Sequence, residues 1–274
     1  MDATRITPGM DTNVQLSGSD RGSLVADPTK GESTVNSPRR LARIAGVLYL
    51  LVGIFGGFAE GFVYPKVYAV GDAATTAGNV IGNSGLVRLG IVADLFNAVV
   101  WIFLAMTLYL LLKHVNKSVA RAMVVLVAIG ASIVCLNTVF EFEGLRAATG
   151  AINLAALGTA GSNALVLLLL DTQHYGISIA QIFFGLWLVP LGYLAYKSAG
   201  WFPRWLGVLL IVGGACYLVD LLAAFLVPDF GKEIHAFIWI PSAIAEISMV
   251  LYLLVIGVKT VKPAARRAAL VAID

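Results

Sequence analysis

Six stretches of this chain are almost wholly apolar, and polar residues gather at their ends or at a few isolated positions within them. They fall at about 41–63, 88–112, 119–141, 177–196, 204–227 and 236–258. Each reaches the roughly 20 residues that a helix needs to cross the hydrocarbon core of a bilayer. The fifth begins directly after Pro203, which suits the first turn of a helix. The pattern predicts an all-α integral membrane protein, a bundle of six transmembrane helices within residues 39–260. Residues 1–38 are rich in Asp, Ser, Thr, Gly and Pro and show no amphipathic period, so they read as a disordered polar tail. No apolar segment follows Arg5 before Leu41, which excludes a signal peptide there.

Residues 151–171 are a harder stretch. AINLAALGTAGSNALVLLLL is uncharged over 151–170, yet GTAGSN interrupts it with residues that favour turns. It reads as one or two short helices at the outer interface, because a seventh span would move the basic C-terminus outside.

Charge in the loops sets the orientation. Arg39, Arg40 and Arg43 precede the first span, and Lys113, Lys117 and Arg121 lie between the second and third. Lys197 and Arg204 join the fourth to the fifth, and Lys259, Lys262, Arg266 and Arg267 follow the sixth. Alternate loops are poorer in basic residues and carry Asp72, Glu143, Asp171, Asp229 and Glu233. Both the N- and C-termini are therefore expected on the cytoplasmic side, with 261–274 as a basic tail. Trp201, Phe202 and Trp205 at one boundary, and Tyr64, Phe237 and Trp239 at the other, suit the interfacial preference of aromatic rings.

Composition agrees with a lipid environment. Of 274 residues, 59% are hydrophobic and 13% charged, with a mean hydropathy of +0.86; soluble domains carry roughly 25% charged residues. The partner this implies is the lipid bilayer. The net charge of +3 sits at helix ends, so a nucleic-acid partner is not expected. Cys135 and Cys216 lie within apolar spans as small hydrophobes. No CxxC, HExxH or Cys/His cluster occurs, so no metal and no cofactor is called for.

Against that background five acids stand out: Glu60, Asp94, Glu141, Asp220 and Glu246. A carboxylate at bilayer depth costs about 2.5–3.5 kcal/mol on insertion scales. Glu60 lies within roughly 20° of Gly53 around an ideal helix, on a Gly53–Gly57–Gly61 row that permits close helix approach. Asp94 shares a stripe with Gly90, Asn97 and Trp101. Asn137 with Glu141, and Ser242 with Glu246, are spaced to share a helix face, as are Gly213, Tyr217 and Asp220. The orientation puts four acids in the outer part of the membrane and Glu246 near its middle, around an outward-facing polar cavity. Arg88 is the candidate counter-charge for Asp94 or a loop acid, or else a snorkelling interfacial residue. Pro190 and Pro241 interrupt two spans and can free backbone carbonyls beside such a site. Asp72 in GDAATT reads as the cap of a short outer helix.

These segments, taken together, resemble a bacterial membrane family known as domain of unknown function 4386, over about residues 38–260. The resemblance rests on ARIAGVLYLLVG at 42–53, GDAATTAGNV at 71–80 and LYLLLKHVNKSVA at 108–120. It rests most on QIFFGLWLVPLGYLAYKS at 181–198, followed by PRWLGVLLIVGG at 203–214. It implies a multi-pass protein of the bacterial cytoplasmic (inner) membrane and brings no assigned activity. Three functions remain open. The acids can bind or transport a small molecule or ion, serve as packing glue in a structural or stress-related component, or act with His174 or His235 in an intramembrane enzyme. The sequence specifies neither the ligand nor the oligomeric state.

Overall fold

The computed structural model describes residues 37–259. The polar tail expected at 1–38, apart from Ser37 and Pro38, and the basic tail at 261–274 lie outside the described residues. Within them the chain forms α1 (Pro38–Val67), α2 (Ala73–Gly82), α3 (Ser84–Leu112), α4 (Lys117–Ala148), α5 (Gly158–Lys197), α6 (Arg204–Leu226) and α7 (Pro228–Ile256). All except α2 are long and apolar enough to cross a membrane. The local signals for these helices are conventional. Ser37 accepts a hydrogen bond from the Arg40 amide ahead of Pro38, and Asn116 accepts from the amides of Ser118 and Val119. Gly257, at φ 73°, ends the last helix in a conformation that glycine adopts without strain.

The six long helices pack in chain order as a closed ring, each on the next, with α7 returning to α1. Their outer faces expose large apolar side chains such as Ile54, Phe96, Phe103, Val125 and Phe225, as a lipid-facing bundle requires. The six-span membrane bundle expected from the hydropathy pattern is what the chain forms. Both described ends lie together: Arg39 donates to the Val258 carbonyl, and the Lys259 amide donates to the Trp201 carbonyl. We call this the terminal end, and the opposite one the distal end.

One expectation fails. Residues 158–171 are not short interfacial helices but the first turns of the single 40-residue α5. GTAGSN is the start of that helix rather than a break in it. Gly158 takes a positive φ of 64° at the entrance, and the Ser162 hydroxyl bonds back to the Gly158 carbonyl at 2.9 Å. At 1.5 Å per residue α5 is about 60 Å long, roughly twice the hydrocarbon thickness. Its first turns run on past the bundle beside α4 and carry α2. Val67, Ala77, Val80, Leu145, Val166 and Leu170 give this distal extension its own small core.

The tightest packing is between α5 and α6. A Cβ at Gly192 would fall 2.6 Å from the Gly207 carbonyl oxygen, and one at Gly207 equally close to the Gly192 oxygen. Gly185 and Gly214 repeat this reciprocal contact two turns away. Both pairs lie in the 181–198 and 203–214 segments that carry the family resemblance. The Gly53–Gly57–Gly61 row, in contrast, meets nothing within 4 Å. It faces outward, and α1 makes its close approaches through Gly46, against Leu253 and Leu254, and Gly56, against Asn97.

Backbone cannot move aside as a side-chain tip can, so Gly192→Ala should destabilise the bundle by about 1–3 kcal/mol. Gly57→Ala should stay within about 0.5 kcal/mol of wild type. Thermal melting of both variants in one detergent checks the pair.

Candidate functional site

Helix register brings the acids of α1, α3 and α4 together. Val63 rests on Gly90 and Asn97 on Gly56, so antiparallel α1 and α3 place Glu60 opposite Asp94. Between α4 and α5, Trp101 and Phe183 crowd Gly130, Asn137 fills the space at Gly176, and Leu170 covers Gly144. That register sets Glu141 within a turn of Gln173. Gln173 donates to Glu60 Oε1 at 3.1 Å, which closes the group across the bundle. Glu60 and Glu141 both lie within electrostatic reach of Asp94.

Glu60 reaches this position through a widened turn. Residues Ala59–Val63 form a π turn, with more residues per turn than an α-helix and so fewer degrees per residue. This swings Glu60 away from Gly53 and towards the Gly56 side, where α3 and α5 lie. The glycine row and the acid therefore part company.

The group is closed in, not open. Asp94 is 3% exposed and Glu141 5%, and neither makes a hydrogen bond to another described residue. Above them Tyr64 donates to the Leu170 carbonyl at 3.3 Å, and Tyr68 donates to Asp171. The His174 ring stacks on both tyrosines, with centroids 5.7 and 5.5 Å apart. Burial and the adjacent Asp171 carboxylate push the Tyr68 phenol up. On the terminal side Trp101, Phe184, Trp187 and Tyr49 form an aromatic floor with centroids 5.1–5.9 Å apart. The expected outward-facing cavity is thus replaced by an enclosed polar layer beneath the distal extension. Two surface depressions, of about 520 and 340 Å³, lie instead at the terminal end beside Arg39 and Arg43 and beside Lys113 and His114.

Amides complete the layer, and they are unsatisfied. Asn97 Oδ1, Asn137 Nδ2 and Gln173 Oε1 are buried without a hydrogen-bond partner among the described residues. Gln173 is 2% exposed and Asn137 5%. A buried amide group left unpaired costs about 1–3 kcal/mol, so three in one layer mark a place that another polar species would complete. Among the described residues, no three His, Cys, Asp or Glu side chains converge closely enough to hold a metal ion.

The other two acids stand apart. Asp220 on α6 is buried, accepts from Gln181 Nε2 at 3.3 Å, and meets His235 Nδ1 with both oxygens at 3.0 Å. Glu246 accepts from Tyr217 at 2.9 Å and from Tyr49 at 3.0 Å. Tyr49 is 11 residues before Glu60 on α1, so Glu246 lies about 16 Å nearer the terminal end. Arg88 is exposed and makes no ion pair with a described residue, so it is not the counter-charge to Asp94. At the end of a span its long stem lets it reach the interface. Pro190 is 17 residues beyond Gln173 within continuous α5, well away from the acid layer; Pro241 is in α7, next to Ser242, which donates to the Gly213 carbonyl.

Tyr49, Gln173 and Gln181 were not singled out by the sequence. Placing 171–176 in a loop hid Gln173. Continuing one helical period through Gln173, Gly176, Ala180, Phe184 and Trp187 puts it on one face with them.

A ring of spanning helices with an enclosed polar layer defines a polytopic α-helical membrane protein. The chain matches the family described as Domain of unknown function (DUF4386) over residues 44–257, and it belongs to that family. It is also similar to an uncharacterized protein of Archaeoglobus fulgidus, 44% identical over 55 residues. Those residues are 20% of this chain and 33% of that protein, so the chain spans about a third of that relative's length. An archaeal relative means that the bacterial origin implied by the resemblance does not follow from the match. No solved structure matches.

The distal extension over the site hangs on Asp72, which accepts from the Thr75 amide at 2.9 Å and its hydroxyl at 2.7 Å. These bonds hold the Asp72 carboxyl below its ordinary range. A lowered folded value means the cap is intact above the ordinary pKa, about 3.9, and is lost as pH falls through the lowered one. Amide exchange of α2 should therefore accelerate only in strong acid for wild type, and at neutral pH already for Asp72→Ala.

Proposed function

We propose that this is a cytoplasmic-membrane protein of a bacterium, with both termini in the cytoplasm, that binds a small cationic or hydrogen-bond-donating molecule in the polar layer. Transport of that molecule across the bilayer is the activity this arrangement suits best. The observation that carries the reading is the combination of Glu60, Asp94 and Glu141, which have no cation beside them among the described residues, with the buried unpartnered amide oxygens of Gln173 and Asn97. An ammonium group supplies several N–H donors to carboxylates and amide oxygens at once, and positive charge to offset the acids. Trp101 below the layer adds an aromatic ring, which favours an organic cation. Because the layer is enclosed, entry requires Tyr64, Tyr68 and the distal extension to move aside.

A structural role is the second reading, and the seating of Asn97 on Gly56 and of Asn137 on Gly176 favours it. There the amides would serve helix crossing alone.

A thermal-shift screen of small amines and monovalent cations in detergent separates the two. Binding should raise the melting temperature of wild type, by about 2.7 kcal/mol of stabilisation at a hundredfold excess over Kd. Glu60→Gln and Asp94→Asn should abolish the shift while still melting cooperatively. If no amine or cation shifts wild type, and both variants melt lower than wild type, the acids are a packing device and the binding reading fails.

A further inference from the structure

Asp220 and Glu246 contrast with the acids of the polar layer because each is satisfied without any added molecule. Glu246 accepts a hydrogen bond on each oxygen, from Tyr217 of α6 and Tyr49 of α1. A tyrosine hydroxyl can donate or accept. Ionised, Glu246 takes both bonds; protonated, it gives its proton to one phenol and accepts from the other. Asp220 has the same freedom. Its two oxygens face His235 Nδ1 at 3.0 Å, an arrangement that suits imidazolium with carboxylate and neutral imidazole with carboxylic acid alike.

These groups follow one another from the distal end towards the middle of the bundle. His235 is exposed near the distal end of α7, while Asp220 beneath it is buried. Tyr217 lies one helical turn along α6 from Asp220, and its hydroxyl reaches Glu246. The titratable groups facing Glu246 are Tyr49 and Tyr217. Those around Asp220 are His235 from α7 and Tyr217 on its own helix, with Gln181 of α5 as a neutral donor. His174 of α5 lies within electrostatic reach of His235. Among the described residues, no lysine or arginine pairs with either acid.

We propose that His235, Asp220, Tyr217 and Glu246 are a proton relay from the distal surface to the middle of the bundle. Imidazolium at His235 passes its Nδ1 proton to the Asp220 carboxylate and becomes neutral. Asp220 then returns to carboxylate as its proton reaches the Tyr217 oxygen, while the Tyr217 O–H proton passes to Glu246 Oε1. His235 is recharged from solvent, so one proton moves inward and every other group is restored. Asp220 lies within electrostatic reach of Tyr217, three residues along the same helix, and a bridging water completes that step. The relay stands independently of the ligand reading, since it uses none of Glu60, Asp94 and Glu141.

Infrared difference spectroscopy of the full chain in lipid nanodiscs tests it. Wild type should show a protonated-carboxyl carbonyl band whose intensity follows bulk pH. Glu246→Gln should remove that band. Tyr49→Phe keeps the carboxyl and should move its frequency, which covers the case in which Glu246→Gln does not fold. His235→Ala, at an exposed position, should keep the band but slow its exchange in D₂O by about a hundredfold, the order contributed by a positioned proton-transfer group. A band that neither Glu246→Gln nor Tyr49→Phe affects would overturn the proposal. So would exchange in His235→Ala as fast as in wild type. Amine-induced thermal shifts through Glu60 and Asp94 should persist in His235→Ala, so failure of either reading is recognised separately.

Discussion

A polar group turned to the hydrocarbon finds no hydrogen-bond partner there, so a polar side chain along the six spans must bond its own helix, as Thr107 and Ser132 do, or turn inside the ring. Much of the architecture follows from how that requirement is met. Ser242 meets it against the Gly213 carbonyl, and Asp220 against Gln181 and His235. Glu246 meets it with two tyrosines from helices on either side. To bring such groups together the helices must come close, and the paired glycines of α5 and α6 permit this by removing side chains where backbone meets backbone. The small residues and the polar residues are thus two parts of one solution. Neither helps without the other.

How much of this was legible in the sequence depends on range. The six spans follow from local hydropathy, and the inward turn of Asp94, Asn137, Glu141 and Asp220 follows from neighbours at helical spacing on the same helix. Asp72 as a cap follows from its own tripeptide. What failed depended on other helices. The Gly53 row reads as a small-residue stripe yet meets no neighbour, whereas Gly185, Gly192, Gly207 and Gly214 make the close approaches, and only the neighbouring helix decides which glycines pack. Glu60 deviated because a single π turn changed its phase. Gln173 was lost because GTAGSN has the composition of a break, whereas at a helix start the same residues are tolerated and even useful.

The five acids, which look alike as exceptions to an apolar pattern, divide by how completely their surroundings satisfy them. Around Asp220 and Glu246 the partners are two tyrosines and a histidine, groups that can give as well as take a hydrogen bond, with the single amide of Gln181. Around Glu60, Asp94 and Glu141 they are amides, and three buried amide atoms have nothing to bond. An amide cannot exchange its donor for an acceptor without turning over, so it cannot follow a change of protonation as a hydroxyl can. The first set suits a group that changes charge; the second suits a molecule that comes and goes.

This difference gives the aromatic layer a place in the argument. Trp101, Phe184, Trp187 and Tyr49 lie between the amide-lined acids and the terminal half of the bundle, and Tyr49 also bonds Glu246. Tyr49 therefore belongs to both the floor of the polar layer and the shell of the mid-bundle carboxyl. Protonating Glu246 on Oε1 removes the charge that Oε2 presents to the Tyr49 hydroxyl and weakens that hydrogen bond, and the Tyr49 ring packs on Trp187 at 5.3 Å. In a close-packed interior a displaced ring is felt by its neighbours. Trp187 meets Trp101, and Trp101 stands one turn beyond Asn97 on the stripe that carries Asp94. A short run of contacts thus joins the charge state of Glu246 to the floor beneath the unsatisfied amides, which is the physical link a proton-coupled binding site would require.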